Sequence, residues 1–263
     1  MKKTSPEKIV FIGSGNVATS LSEALKGSFD IIQVYSRTLA NARKLAQKTG
    51  CAFTDDLKKI ITDADIYIIA LKDDAIAEIC KKIKLPGKIV LHTSGSTAMS
   101  ILENISNVYG VMWPMYSFAG KAKLAPNTPF FIEASDKKTN YELTYIVKEL
   151  KGKPYYLDSE KRAKVHMTAV FVNNFPNHLF TIAETLCKEA GIPFNLFLPL
   201  AEETVENISK QSPSLCQTGP ASRNEKKIIK KQTALLKPHP DYKEIYKLLT
   251  KSIIKTARGR KKL

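Results

Sequence analysis

The chain has 263 residues, of which 43% are hydrophobic and 25% are charged, and its formal net charge is +16. This composition is that of a globular protein with one large domain or two ordinary ones, which excludes a disordered or fibrous chain. The most apolar stretch, residues 165–200, contains Asn, Glu and Lys side chains and is therefore excluded as a membrane span.

Short apolar runs alternate with helical periods through the first half of the chain. Such runs predict strands at residues 8–12, 31–35, 66–71, 89–91, 108–112 and 130–132. Apolar residues at helical spacing predict helices at residues 17–25, 39–48, 74–83 and 141–150. This alternation is typical of a Rossmann-type α/β fold, a doubly wound and mainly parallel sheet with helices on both faces.

Strand signals stop after residue 157, and the rest of the chain predicts helices only. A long helix is expected over residues 159–190, with a kink at Pro176, because proline cannot donate a helical hydrogen bond. Further helices are expected at residues 194–209, 224–236 and 242–256. We therefore expect a Rossmann domain at residues 1–157 and an all-helical second domain at residues 158–263.

The sharpest motif is a G-x-G-x-x-A sequence at residues 13–18, between the first predicted strand and the first predicted helix. Gly13 permits a tight turn, and Gly15 lets the backbone approach a pyrophosphate at the N-terminus of the helix. The alternative is a plain glycine turn, but the strand and helix on either side favour dinucleotide binding. The predicted contacts are Gly13, Ser14, Gly15, Asn16 and Val17.

The second strand is followed by Ser36, Arg37 and Thr38, without the carboxylate that usually accepts hydrogen bonds from the 2′-hydroxyl of NAD. Hydroxyl groups and a guanidinium suit a 2′-phosphate, although an arginine here is also compatible with an ordinary surface position. The sequence therefore favours NADP over NAD.

Two later strand ends point toward the same crevice, since ligands of open α/β sheets bind beyond the carboxyl ends of strands. Leu71, Lys72 and His92 are accordingly predicted to contact the cofactor. Each position has an alternative: Asp73 or Asp74 caps the next helix, and His92 belongs to a hydrogen-bonded turn.

The Rossmann half resembles pyrroline-5-carboxylate reductase and 6-phosphogluconate dehydrogenase. The resemblance is carried by residues 9–21, 36–38, 72–76 and 92–96. Residues 114–118, 165–169 and 217–223 are similar to a group of NADP oxidoreductases in the same superfamily. This resemblance implies an oxidoreductase that acts on a small-molecule substrate, with a helical domain that forms a homodimer and completes the active site. Where relatives place a histidine, this chain has Trp113, which changes the shape and polarity of the pocket.

Candidate catalytic residues lie in the second half. His166 is the best proton donor, because histidine titrates near neutral pH. Asn173 follows seven residues later on the same face of the expected helix and is able to orient a carbonyl or carboxylate. Arg223 follows a turn whose Pro220 suits a first helical position, and it is predicted to hold an anionic substrate group. The alternatives are a structural histidine and a turn without a ligand.

The positive charge concentrates near the C-terminus, without any motif that reads nucleic acid. A solvated helix face and a disordered tail are expected there, and nucleic acid is not an expected partner. Four dispersed cysteines and the lack of a metal motif predict a cytoplasmic, metal-free protein.

The predicted function is hydride transfer between NADP(H) and a small, anionic carbonyl or imine compound. The alternatives are a non-catalytic NADP-binding regulator with a basic tail and a reductase whose substrate is a deazaflavin.

Overall fold

The computed structural model describes residues 6–120 and 123–260. Contacts within the chain divide it into two compact units, residues 1–174 and residues 175–263. The first unit contains an eight-stranded sheet with the strand order β3-β2-β1-β4-β5-β6-β7-β8. Its strands are β1 (Lys8–Ile12), β2 (Asp30–Tyr35), β3 (Ala52–Thr54), β4 (Ile66–Ile69), β5 (Ile89–His92), β6 (Val108–Pro114), β7 (Pro129–Ala134) and β8 (Lys153–Tyr156).

Neighbouring strands are parallel except for the β6–β7 pair, which is antiparallel. The connecting helices of this unit are α1 (Asn16–Leu25), α2 (Leu39–Thr49), α3 (Asp73–Cys80) and α4 (Lys137–Glu149). Two 3₁₀ turns, Leu57–Lys59 and Met99–Leu102, complete the connections.

Strand β1 is an interior strand, the third in the sheet order, and is covered on both faces. Ile9 and Phe11 belong to the core on the side of α1, α2 and α4, whereas Val10 and Ile12 belong to the core on the side of α3. All four side chains are completely buried. A continuous apolar run is the pattern expected of a parallel strand packed on both sides.

Helix α5 (Ser159–Ala169) is the last α-helix of the first unit, and a π-helical segment, Val170–Asn174, follows it. Asp158 caps α5 by accepting a hydrogen bond from the Lys161 amide at 2.8 Å. The π segment ends two residues before Pro176, whose ring crowds the carbonyl four residues earlier and which has no N–H to bond with it. A π bulge is one way in which a helix accommodates that conflict, and it is consistent with the predicted kink.

The second unit is helical. It contains α6 (Phe175–Glu189), α7 (Leu198–Lys210), α8 (Pro213–Cys216), α9 (Lys226–Leu235) and α10 (Pro240–Arg260), with a 3₁₀ turn at Phe194–Phe197. Among the described residues, no helix combines the length and the apolar character that crossing a bilayer requires.

The predicted fold class is confirmed: a mainly parallel Rossmann-type sheet followed by helices. The last strand ends at Tyr156, next to the expected domain boundary, while the division into compact units falls at residue 174, so the boundary at residue 157 stays a prediction. All four cysteines are free, and the cytoplasmic location likewise stays a prediction.

Two local expectations are wrong. Pro220 does not begin a helix: residues 220–224 form turns, in which Asn224 adopts a left-handed backbone with φ of 57°, and α9 begins only at Lys226. The expected disordered tail is also wrong for residues 258–260, because α10 continues through Arg260. Lys261 and Lys262 lie outside the described residues.

Candidate functional site

The glycine-rich loop joins β1 to α1 and packs tightly against the neighbouring strands. The Gly13 amide donates a hydrogen bond to the Tyr35 carbonyl at 2.9 Å, and Gly13 has φ of 126°. A Cβ atom at Gly13 would lie 2.2 Å from the Ala70 carbonyl oxygen and 3.2 Å from the Leu71 side chain. Both the backbone conformation and the space therefore require glycine at this position.

Gly15 differs from Gly13, because a Cβ atom there would meet no atom within 4 Å. Gly15 is the N-cap of α1 and is exposed, as is Asn16 beside it. The first turn of α1 has no side-chain cap and no acidic residue, so its amide groups and the positive end of the helix dipole are open to an anion. The loop therefore offers an unobstructed backbone cradle for phosphate.

The end of β2 contributes in two ways. Ser36 is largely buried, and its Oγ accepts a hydrogen bond from the Ser14 hydroxyl at 2.8 Å, which fastens the glycine-rich loop to β2. Arg37 and Thr38 are exposed beyond the strand end. This arrangement leaves the Arg37 guanidinium and the Thr38 hydroxyl free to reach a phosphate, whereas Ser36 mainly shapes the loop.

A cavity of about 540 Å³ adjoins the glycine-rich loop between α1 and α2. Lys44, Lys48 and Lys123 are among the residues that line it. The Asn16 side chain donates a hydrogen bond to the Phe118 carbonyl at 2.7 Å, which ties the segment after β6 to the start of α1. Lys48 forms an ion pair with Glu23, which also lines the cavity, and the three lysines against one glutamate leave an excess of positive charge that favours bound phosphate.

His92, at the end of β5, is completely buried. Its Nδ1 accepts a hydrogen bond from the Ser94 amide at 3.2 Å. Burial and then the nearby Arg162 cation lower the pKa of His92 to about 4, so the imidazole is neutral at pH 7. These features favour the alternative in which His92 holds the turn after β5, and the predicted cofactor contact of this residue stays a prediction.

His166, on α5, lies against the ends of β5 and β6. A Cβ atom at Gly95 would lie 2.6 Å from His166 Cδ2 and 2.7 Å from the Trp113 ring, so only glycine fits between them. The rings of Trp113 and His166 meet edge to face, with their centroids 5.4 Å apart. Trp113 also stacks on Phe131 at a centroid distance of 5.3 Å, which holds the indole in place. The His166 imidazole is therefore held at the edge of the sheet where parallel strands end.

A carboxylate lies close to this imidazole. Asp73, in the first turn of α3, accepts a hydrogen bond from the Ser96 hydroxyl. Burial raises the pKa of Asp73, but hydrogen bonds from Ser96 and Ser94 and the charge of His166 outweigh burial and hold this pKa below its usual value. The N-cap of α3 is Lys72, so neither Asp73 nor Asp74 occupies the cap position. Lys72 itself is exposed beside the strand end.

A buried ionic network, which no sequence pattern predicts, connects α5 to the sheet. Arg162 is completely buried and forms an ion pair with Glu133 of β7. Its Nη2 donates to the Thr97 carbonyl at 2.5 Å and to Ser159 Oγ at 3.2 Å. The only signal in the sequence was an arginine four residues before His166, at the spacing of one helical turn.

Asn173 and Arg223 are the remaining predicted catalytic residues, and both are exposed. Asn173 is exposed and lies in the π-helical segment, where each residue turns the chain less than in an α-helix, so the same-face argument from α-helical spacing is wrong. Arg223 is exposed and forms an ion pair with Glu225, Nε to Oε1 at 2.7 Å. His166 belongs to the first compact unit and Arg223 to the second, and their convergence stays a prediction.

Two family models match the chain. A model described as NADP oxidoreductase, coenzyme F420-dependent, matches residues 8–95. A model described as a domain of unknown function (DUF2520) matches residues 128–253. The first match contains the glycine-rich loop and the ends of β2, β4 and β5, and the second contains Glu133, Arg162 and His166.

Similar proteins and solved structures cover most of the chain. A solved structure from Bacteroides fragilis, provisionally named an NADP oxidoreductase, is 38% identical, covers 95% of this chain and 98% of its own, and has a TM-score of 0.89. A reductive aminase from Aspergillus terreus, solved with NADPH and ethyl-5-oxohexanoate, shares the fold with a TM-score of 0.74, at 17% identity over 97% of this chain and 95% of its own. A pyrroline-5-carboxylate reductase from Vibrio alginolyticus is 23% identical over 194 residues, which are 70% of this chain and 69% of that protein.

Substitution of the two glycines of the loop should affect two different properties, cofactor affinity at Gly15 and thermal stability at Gly13. Gly15→Val should fold normally and weaken NADPH binding by at least about 100-fold, because its side chain blocks several amide contacts worth about 1 kcal/mol each. Gly13→Ala should instead lower the thermal stability, since its Cβ collides with the Ala70 carbonyl. Isothermal titration and thermal unfolding measure both effects, with Gly27→Val, where added atoms also meet open space, as the control. Wild-type affinity in folded Gly15→Val would show that the loop is only a turn.

Proposed function

Because the chain belongs to the same family as the NADP oxidoreductase of Bacteroides fragilis, we propose that it reduces a C=N or C=O group of a small, anionic molecule with NADPH. The observation that carries this proposal is the His166 imidazole, which is held against Gly95 and Trp113 where the parallel strands end. A ligand of an open α/β sheet binds at such an edge.

The residues of the glycine-rich loop fit the dinucleotide. Open space at Gly15 and the uncapped first turn of α1 suit a pyrophosphate, and Arg37 and Thr38 suit a 2′-phosphate. NADPH supplies a hydride when it is bound. Leu71, Lys72 and the turn held by His92 form the adjoining strand ends, where we place the remainder of the cofactor.

The protein must add a proton to the nitrogen or oxygen atom while the neighbouring carbon accepts the hydride. We assign that proton to His166, because histidine is the residue type that exchanges protons near neutral pH. Asp73 keeps a negative charge near the imidazole, and the Trp113 indole covers one side of it and limits the access of water. Asn173 and Arg223 are proposed to orient the substrate and to bind its anionic group.

The names of the relatives support the substrate class. Pyrroline-5-carboxylate reductase and reductive aminase are both named for reactions at a carbon–nitrogen bond. We therefore favour an imine, or the carbonyl compound from which it forms. A negatively charged substrate is supported by the net charge of +16, which raises the local concentration of anions.

A deazaflavin substrate is a second candidate function, and the description of the family model over residues 8–95 favours it. In that reaction the hydride passes to oxidised coenzyme F420 instead of an imine. Loss of the deazaflavin absorbance on addition of NADPH and enzyme would support this candidate over the imine, whereas reaction with imines alone would exclude it.

We further propose a homodimer formed through the helical half. Between residues 165 and 200, many large apolar side chains are at least 38% exposed, and they include Met167, Val172, Leu179, Phe180, Leu196 and Leu200. Exposed apolar side chains in such numbers are typical of interaction surfaces, because contact with water is unfavourable for them. A second copy of this chain would bury such a surface.

The first prediction of this proposal concerns the 2′-phosphate. Arg37→Ala should weaken NADPH binding by about tenfold to 100-fold, since a hydrogen bond to a charged group is worth about 1.5–3 kcal/mol. Binding of NADH, which has no 2′-phosphate, should change less than about twofold and serves as the internal control. Equal losses for both cofactors would contradict the role of Arg37.

The second prediction concerns the proton. His166→Gln should lower turnover by about 100-fold, the scale of losing a general acid, while NADPH affinity stays within a few-fold. Cyclic imines, keto acids with amines, and oxidised coenzyme F420 are screened first with the wild type to find a working substrate. Lys164→Gln, which changes an exposed residue of the same helix, is the matched control and should retain full turnover. Turnover by His166→Gln within about threefold of the wild type would remove His166 from the mechanism.

The third prediction concerns assembly. Sedimentation equilibrium should find a species of twice the 29.3 kDa chain mass. Replacing Leu196 and Leu200 by lysine should dissociate it without unfolding the chain, because both side chains are exposed within it. Tyr141→Lys, at a 73% exposed position of α4, is the control. A monomeric wild type at micromolar concentration would rule out the dimer.

A further inference from the structure

We propose that Arg162 is the positioning residue of His166: its buried ionic network holds α5 in the one register that places the imidazole over Gly95. This inference rests on the proposed role of His166 as proton donor. It concerns a residue that touches neither cofactor nor substrate and acts through the helix that carries His166.

Arg162 is completely buried, and its ionic partner is largely buried. The Arg162 side chain is 0% exposed, and its partner Glu133 is 17% exposed. Removing charges from water costs several kcal/mol per ion, and their mutual attraction repays this cost only when the geometry is good and the remaining hydrogen bonds are made. Apolar residues of the same volume often stabilise a fold as well or better. Arg162 Nε is buried without a hydrogen-bond partner among the described residues, so this pair is not the arrangement that stability alone would favour. Its burial therefore indicates a role in orienting α5 as well as in attaching it to the sheet.

The network around Arg162 joins three separate parts of the chain. Glu133 belongs to β7, Thr97 to the segment after β5, and Ser159 to the first turn of α5. Ser159 Oγ donates to the Glu133 carboxylate at 2.8 Å and accepts from the Met99 amide at 3.0 Å. The start of α5 is thus bonded both to a strand and to the segment that contains Gly95.

Arg162 and His166 lie on one face of α5. Arg162 precedes His166 by four residues, so both side chains leave the same face of the helix, about one turn apart. Arg162 bonds to Thr97, and His166 packs on Gly95, two residues earlier in the same segment. The helix is thereby held to one segment at two points. Rotation or sliding of α5 would break the bonds of Arg162 before the imidazole could leave Gly95.

The rate of a proton transfer depends strongly on the position of the catalytic group. A displacement of about 1 Å in a catalytic group can lower a rate by about 100-fold. The hydrophobic effect is not directional, whereas hydrogen bonds from the fixed fork of a guanidinium are directional. Arg162 therefore supplies an orientation that apolar packing at the same place would not.

The Trp113 ring provides a reporter that requires no substrate. The His166 imidazole meets the indole edge to face at 5.4 Å, so its proton resonances carry a ring-current shift that depends on its position. Resonances of His166 are assigned by comparison of wild-type and His166→Gln spectra. Their positions then report whether α5 keeps its register.

The experiment uses the full chain with Arg162→Met, Arg162→Lys and Glu133→Gln. Lys164→Met is the matched control, since Lys164 lies on the same helix and forms an exposed ion pair with Glu160. We expect Arg162→Met to move the His166 resonances toward those of the exposed His178 and to lower kcat by at least about tenfold. The Kd for NADPH should stay within about threefold, and the control should match the wild type throughout. Arg162→Lys should recover little, because an ammonium lacks the planar fork.

Glu133→Gln keeps the size of the side chain but removes the charge that pairs with Arg162, so it tests the proposal if Arg162→Met does not fold. Unchanged His166 resonances in a folded Arg162→Met or Glu133→Gln variant would overturn the proposal. The proposed function fails differently: if the resonances move but His166→Gln turns over normally, Arg162 positions His166 and His166 is not the proton donor. If His166→Gln loses turnover while the His166 resonances do not move in the Arg162 and Glu133 variants, His166 is the proton donor and Arg162 does not position it.

Discussion

The candidate chemistry depends on one constraint, the parallel alignment of β1, β4, β5 and β6. Parallel strands end at the same edge of a sheet, and each is followed by a connection that starts there. The glycine-rich loop, the start of α3 and the Gly95 turn therefore meet at this edge, although up to about 80 residues separate them in sequence. The complete burial of β1 on both faces fixes this alignment, because any shift of the strand would expose apolar side chains.

Most of the fold could be predicted because local patterns determine it. The apolar runs at β1, β2 and β5 and the helical periods at α1 and α2 each predict their element within a residue or two. β3 has only three residues, too few for a pattern, and the antiparallel direction of β7 depends on its pairing with β6. The π-helical segment could not be predicted from its own residues either, since the proline that it accommodates lies two residues beyond its end.

The site divides in the same way. The glycine-rich loop could be predicted because a backbone requirement appears directly as residue type: Gly13 is needed for its conformation and for space, and Gly15 leaves open space beside the start of α1. The surroundings of His166 could not, since Gly95, Trp113 and Asp73 are distant in sequence and meet only when the sheet forms. The Arg162–Glu133 pair, 29 residues apart, is invisible to any local pattern. Only the chemistry of the residue type singled out His166.

The two histidines at the strand ends show why residue type alone is insufficient. His92 and His166 have the same intrinsic chemistry, but burial and the Arg162 cation hold His92 neutral, with a pKa of about 4. His166 is only partly buried, and a carboxylate lies near it. One guanidinium therefore acts on both: it opposes a proton on His92 through its charge, and it anchors the helix of His166 through its hydrogen bonds. The two histidines therefore differ in their surroundings, and those surroundings exist only once the sheet and α5 have packed together.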